Sequence, residues 1–317
     1  MEKPVFLHVG LHKTGSGFWQ QQVFPFLEGV HYVDRETIHQ NDGFNKLMLA
    51  DDSLYDPAEA QDFVDGLPDQ PLLFSSESLS GKPQFYHAIN RSMIARRLKD
   101  LFPNATIILF LRGQQEILWS MYNQYIKGRR DAAGRIEDFL WFPNKQEIDK
   151  AYFGRKTTKY KVYYDSSGFK LHLDVFKYKA LIDVYQSLFD KVEVFLYEDF
   201  VQDPESVLER MLNIMEAHLS EGKTISFAKR ENMGWSEQDI SLKRRMNALK
   251  IPVHEPGERS HRSWLFWLGK LIPAKYPHLP KDYITYVTEG YYEESNRALL
   301  EAYPEVGIGR YPEAYWV

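Results

Sequence analysis

Residues 5–20 read "VFLHVGLHKTGSGFWQ", and this stretch decides the fold. The apolar run from Val5 to Val9 has the composition of a buried strand and leads into Gly10. A short loop follows, carrying Lys13, Thr14, Gly15, Ser16 and Gly17. Phe18, Trp19 and the three glutamines after them read as the opening of a helix. Strand, glycine-bearing loop and helix make up the arrangement that cradles phosphate. Glycines let backbone N–H groups turn inward, the helix start supplies the positive end of its dipole, and a lysine adds a full charge. In a Walker A loop, G-x-x-x-x-G-K-[ST], the lysine follows the second glycine. Here Lys13 precedes Gly15 and the loop is shorter, which argues against an ATP-hydrolysing site.

Outward from this loop, apolar runs alternate with helical patterns. "ATIILFLR" (105–112) is a continuous apolar run of the kind that parallel sheets bury on both faces. "PLLFSSE" (71–77) and "VEVFLYEDF" (192–200) read as further buried strands. Helical spacing covers 91–101, Gln114 to about Lys127, and Leu171 to Phe189; Asp203 and Pro204 open another helix that runs to about Ala217. Together these predict an α/β, P-loop-containing nucleotide-binding fold whose central parallel sheet is flanked by helices. One domain is expected over 1–317. Its least regular segments, around 128–170 and 220–275, read as insertions of the kind that carry acceptor specificity.

Composition limits the function classes. Hydrophobic residues make up 44% of the 317, enough for a substantial core, and a net charge of −5 gives no global attraction to nucleic acid or anionic membranes. The absence of cysteine removes disulfides, thiolate metal sites and cysteine nucleophiles, and mildly favours a cytosol. The first residues lack the charged-then-apolar pattern of a signal peptide, and no apolar run approaches the ~18 residues of a membrane span. The expected location is therefore cytoplasmic.

Two further constellations belong with the loop. Arg112 follows the "IILFL" strand, and Ser120 lies eight residues on in the next helix. Ligands of open α/β sheets bind beyond the carboxyl ends of strands, so Arg112 is placed to grip a phosphate with two parallel N–H donors. Taken singly, Arg112 reads more readily as a helix-capping surface arginine and Ser120 as an ordinary helix-face serine; their joint spacing turns the reading toward phosphate. "VFLYEDFVQDPESVLERML" (194–212) places Tyr197, Glu198 and Asp199 at another strand end, and "YYEESNRALLEAY" (291–303) closes the set.

In this order, these elements resemble the sulfotransferases that use 3′-phosphoadenosine 5′-phosphosulfate (PAPS), of the bacterial and carbohydrate type. That family's 5′-phosphosulfate loop runs K-x-G-[ST]-[ST]. Its 3′-phosphate element has an arginine at the strand end and a serine eight positions later, its Y-E-D-[LF] strand end precedes D-P and a helix, and its S-N-R helix lies near the C-terminus. The chain departs from the pattern at Gly17 and Phe18, where hydroxyl residues are usual, and at Gln114, where proline is frequent. The resemblance implies a sulfotransferase-type fold that moves a sulfuryl group from PAPS to a hydroxyl and releases adenosine 3′,5′-bisphosphate, with no metal. It implies nucleotide binding by Lys13, Thr14, Gly15, Ser16, Gly17, Phe18, Arg112, Ser120 and Tyr197, with Tyr197 near the adenine. It also implies that Lys13 stabilises the sulfuryl group and leaving phosphate, and that Ser120 restrains Lys13 until the acceptor arrives.

An acceptor hydroxyl needs a base on the same edge. Glu77, closing "PLLFSSE", is the candidate, and burial is expected to raise its pKa; a cap or ion-pair role is the plainer alternative. His12 and His87 are alternative bases. The aromatic and basic mixture "KAYFGRKTTKYKVYY" (150–164) suits a glycan or glycolipid acceptor, or merely a solvated basic loop. Residues 263–272, within "RSHRSWLFWLGKLIPAK", read as a buried helix or a peripheral membrane contact. Rival readings are a P-loop kinase or phosphotransferase, which needs magnesium ligands, and an inactive nucleotide-binding scaffold of the same fold.

Overall fold

In the computed structural model, Thr106–Leu111 forms a strand whose six residues are all buried. The structure describes residues 3–81, 90–128, 132, 134–154, 170–227, 235–248 and 280–316. Its strands, in chain order, are β1 (Val5–His8), β2 (Leu27–Glu28), β3 (His31–Val33), β4 (Leu72–Ser75), β5 (Thr106–Leu111), β6 (Leu140–Trp141), β7 (Leu171–His172), β8 (Lys191–Leu196) and β9 (His218–Leu219). Five of them form one parallel sheet in the order β3-β4-β1-β5-β8.

Alternate residues of these strands feed two separate apolar layers, because successive strand side chains point to opposite faces. Leu7, Val9, Leu72, Phe74, Ile107, Leu109, Leu111 and Leu196 pack on one face. Phe6, Leu73, Ile108, Phe110 and Phe195 pack on the other, against Trp19, Val23, Phe24 and Met211. Each such side chain contributes roughly 1.5–3 kcal/mol by leaving water. With both faces apolar, helices must cover both.

The chain leaves β1, builds β3 and β4 on one side, then crosses back to add β5 and β8 on the other. The strand order reverses at β1. The crevice beyond its carboxyl end, between β4 and β5, is where open α/β sheets hold ligands.

Several expected boundaries move. The strand read as 192–200 stops at Leu196, and a helix, Tyr197–Gln202, begins at once. The reason is its neighbour: Leu196 pairs with Leu111, the last residue of β5, so no ladder remains beyond it. The strand read as 71–77 stops at Ser75, and Glu77 opens a 3₁₀ turn, Glu77–Ser80, in which Ser76 Oγ accepts from the Ser78 N–H. The helix expected over 171–189 is broken into β7, a 3₁₀ turn at Leu173–Phe176 and a helix at Tyr178–Gln186. Pairing of β7 with β6 and acceptance of the Asp174 N–H by His172 Nδ1 explain the break. After the loop, the helical turn Ser16–Phe18 widens into a π turn, Trp19–Val23, before Pro25 ends it.

The two expected insertions are less irregular than their composition implied. They hold helices at Ile136–Phe139, Lys145–Phe153 and Glu237–Ala248. Most of the 150–164 mixture, His87, and the whole of 259–275 lie outside the described residues. Among the described residues, no helix is long and apolar enough to cross a membrane.

Candidate functional site

The loop after β1 is shaped by three residues in the left-handed region: Gly10 at φ 57°, Lys13 at φ 70° and Gly15 at φ 92°. Two close approaches explain the glycines. A Cβ on Gly10 would stand 2.9 Å from Ser16 Oγ and 3.3 Å from Glu77 Cγ, and one on Gly15 would touch the Tyr197 ring at 3.4 Å. Thr14 staples the loop, donating its hydroxyl to the Leu11 carbonyl at 2.7 Å while accepting from the Leu11 N–H at 3.4 Å. Among the described residues, the N–H groups of 13–15 donate to no backbone carbonyl. Loop amides left over from backbone pairing, next to a lysine, are the kind of arrangement that cradles an anion.

Three further strand ends converge on this loop. From β5 comes Arg112, whose Nη1 donates to the Lys13 carbonyl at 3.0 Å and whose guanidinium lies 4.5 Å from the Tyr197 ring centroid. Its own carbonyl accepts from the Tyr178 hydroxyl at 2.5 Å. From β8 comes Tyr197, covering both Gly15 and Arg112. The carboxylates after it anchor the edge: Glu198 accepts from the Gly113 N–H and the Tyr315 hydroxyl, and Asp199 from Arg310 and the Tyr311 hydroxyl. From β4 comes Glu77, mostly buried, 3.8 Å from the Arg35 guanidinium.

The site is rich in cations. Burial lowers the Lys13 ammonium below the ordinary lysine range; Glu77 opposes this, while Lys127, Arg112 and Arg35 push it further down. Sequence reasoning missed Arg35 and Lys127. Arg35 opens a helix capped by Asp34, and Lys127 ends the Gln114–Gly128 helix with its ammonium 5.0 Å from the Trp235 ring. Nothing local to either residue points at the crevice.

The expected rise in the Glu77 pKa is corrected. Burial does push it up, but His12, a hydrogen bond from its own backbone N–H, Arg35 and His8 outweigh that and hold the carboxyl below its ordinary value. Glu77 is therefore an anion at neutral pH, able to accept a proton without first losing one.

The other expected ligand residues have these contacts. Phe18 donates its N–H to the Gly15 carbonyl and packs its ring against Trp19, Phe200 and Phe227, so it floors the loop. The Thr14 hydroxyl is committed to Leu11. Ser16 is buried with only a 3.5 Å contact to the Leu11 carbonyl, and Gly17 has open space where a Cβ would stand. Ser120 sits half-buried on the Gln114–Gly128 helix and is not hydrogen-bonded to Lys13. Gln114 is a buried tie: its Nε2 donates to Asn296 Oδ1 at 2.8 Å, and Asn296 Nδ2 donates to the Tyr315 carbonyl at 2.6 Å. That link locks the "SNR" helix, Glu293–Ala302, to the start of the Gln114–Gly128 helix.

His8 closes β1 beneath the cradle. It is fully buried, with Nδ1 2.6 Å from Ser75 Oγ and its ring edge-on to Phe24 and Phe110. Burial drives its pKa from 6.5 down to about 4, against a smaller opposing pull from Glu77. Between these values the unfolded chain binds a proton that the native state refuses. Stability is thus complete above pH 6.5 and falls as the pH drops toward about 4. The loss from this residue is about 3 kcal/mol. Urea unfolding at neutral and mildly acidic pH checks this: His8→Gln is expected to lose markedly less stability on acidification, and equal losses would remove His8 as the cause.

No family model matches the chain, and none of the curated proteins compared with it does. Among solved structures it is similar to a sulfotransferase from Alicyclobacillus acidocaldarius, at 15% identity over 79% of this chain and 95% of that one, with a TM-score of 0.43. So distant a likeness assigns no chemistry, and the functional reading is carried by the site itself.

Proposed function

We propose that this chain transfers a sulfuryl group from PAPS to a hydroxyl of a carbohydrate or glycoconjugate, without a metal. One observation supports it above the others: separate strand ends deliver Lys13, Arg112, Tyr197 and Glu77 to one cation-rich crevice, with the lysine before rather than after the loop glycine.

Sulfuryl transfer is an in-line displacement at sulfur. It requires a base for the acceptor proton, donors for the sulfuryl oxygens, and charge stabilisation on the departing phosphate. The loop amides and Lys13 supply the donors and the charge. Arg112 offers the fork that suits the second phosphate of the nucleotide, and the Tyr197 ring beside it provides a flat face for the adenine. Glu77, held as an anion, takes the acceptor proton as the hydroxyl oxygen bonds to sulfur and the bond from sulfur to the phosphate oxygen breaks. Arg35 and Lys127 add positive potential where negative charge accumulates.

Calorimetric titration with adenosine 3′,5′-bisphosphate in the absence of magnesium tests the reading. Binding that also raises the melting temperature is expected. Stabilisation by Mg-ATP alone overturns it in favour of a phosphotransferase.

A further inference from the structure

Arg91 opens the Arg91–Leu101 helix and lines a cleft of about 350 Å³ together with Trp141, His172, Asp174 and Val175. Its guanidinium is poorly answered. Nε donates to the Ser80 carbonyl, and Nη1 and Nη2 to the Val175 carbonyl, each at 3.4 Å, the far limit of a hydrogen bond. Among the described residues, no carboxylate lies within ion-pair distance of it. The cleft's own acid is engaged elsewhere: Asp174 pairs with Lys177 at 2.6 Å and accepts from the Tyr291 hydroxyl at 2.9 Å. A guanidinium stays charged at any accessible pH, and withdrawing it from water without a counter-ion is costly. Such a group is stabilised by an anion that arrives with a ligand.

The rest of the cleft fits a ring. Trp141 is half-buried, and Lys170 lies 5.4 Å from its ring centroid, a second cation near the cleft wall. The volume falls at the small end of ligand sites, room for a short saccharide rather than a folded partner. The location also matters. Ser80, which accepts from Arg91, ends the short turn that Glu77 opens, so one turn of chain links Arg91 to the proposed base.

We propose that this cleft is a subsite for an acidic sugar of the acceptor, a ring bearing a carboxylate or sulfate whose anion pairs with Arg91 while the ring lies on Trp141. The inference rests on the sulfuryl-transfer reading for its role but not for its binding, which is measurable without PAPS.

The test is direct titration with a glucuronate-containing oligosaccharide, its sulfated counterpart and its neutral glucose counterpart. Wild-type protein, Arg91→Gln, Arg91→Lys and Trp141→Ala are compared, and adenosine 3′,5′-bisphosphate titration and melting report that each is folded. Wild-type protein is expected to prefer an acidic ligand at least about tenfold, as one charge-assisted pair allows, with a preference that shrinks as salt is added. Arg91→Gln removes the preference, Arg91→Lys retains part of it, and Trp141→Ala weakens acidic and neutral ligands alike. The carboxylate and sulfate arms identify which anion is taken. Equal wild-type affinity for acidic and neutral ligands overturns the proposal without any variant, as does a preference that survives in folded Arg91→Gln. Absent nucleotide binding by folded wild-type protein instead overturns the sulfuryl-transfer reading, and leaves the acidic preference to be judged on its own data.

Discussion

Lys13→Ala is expected to lower kcat for PAPS-dependent sulfation by on the order of 10²–10³-fold, the cost of removing one preorganised donor from a developing charge. The fold should survive. Position 13 has a positive φ of 70°, but lysine already bears that strain and alanine bears the same. The loop is held by contacts the variant keeps: the Thr14 staple and the Arg112 grip on the Lys13 backbone carbonyl. Melting should therefore move by no more than a few degrees. Removing the ammonium also relieves its repulsion with Lys127, Arg112 and Arg35, so adenosine 3′,5′-bisphosphate affinity should fall less than kcat. Steady-state turnover beside calorimetric titration separates the two. A kcat within a few-fold of wild type would favour the inactive scaffold.

Arg112→Ala carries the second large effect, on binding. Loss of a charge-assisted fork to a phosphate costs about 1.5–3 kcal/mol, which is roughly 10- to 150-fold in Kd. Arg112 is preorganised for this work by the Lys13 carbonyl, the Tyr197 ring and a 3.4 Å contact to Glu116. Arg112→Lys should rescue little, because an ammonium has neither the planar fork nor the same stacking on Tyr197. The helix start should persist in both variants, since Tyr178 bonds the Arg112 backbone carbonyl and Glu198 bonds the Gly113 N–H. Magnesium-free titration with adenosine 3′,5′-bisphosphate measures the effect. An unchanged Kd would mean that Arg112 serves only the loop carbonyl.

The class of fold was legible because its strands are buried on both faces. A parallel strand such as Thr106–Leu111 must be apolar at every position, and that pattern survives in a bare sequence. The tight loop after β1 was legible because its glycines follow such a strand directly. Tyr197 and Arg112 were readable as strand-end residues; their stacking, and the contact of Tyr197 with Gly15, were not.

The amino-acid sequence by itself determined the alternation of strand and helix, the position of the loop between Gly10 and Gly17, and the placement of Arg112 at a strand end. All of these follow from local composition and spacing. Only the tertiary structure decided where strands stop and what charges meet. β8 ends at Leu196 because its partner ends at Leu111, a fact of pairing between residues 85 positions apart. The Glu77 carboxyl is held below its ordinary pKa chiefly by His12, its own backbone N–H and Arg35, although burial alone pushes the other way. The charges of Arg35 and Lys127 reach Lys13, and Arg91 shares a cleft with Trp141, His172 and Val175, only because the fold brings distant segments together. Electrostatics and ladder pairing act through space, so their outcome is set by neighbours that chain order does not name.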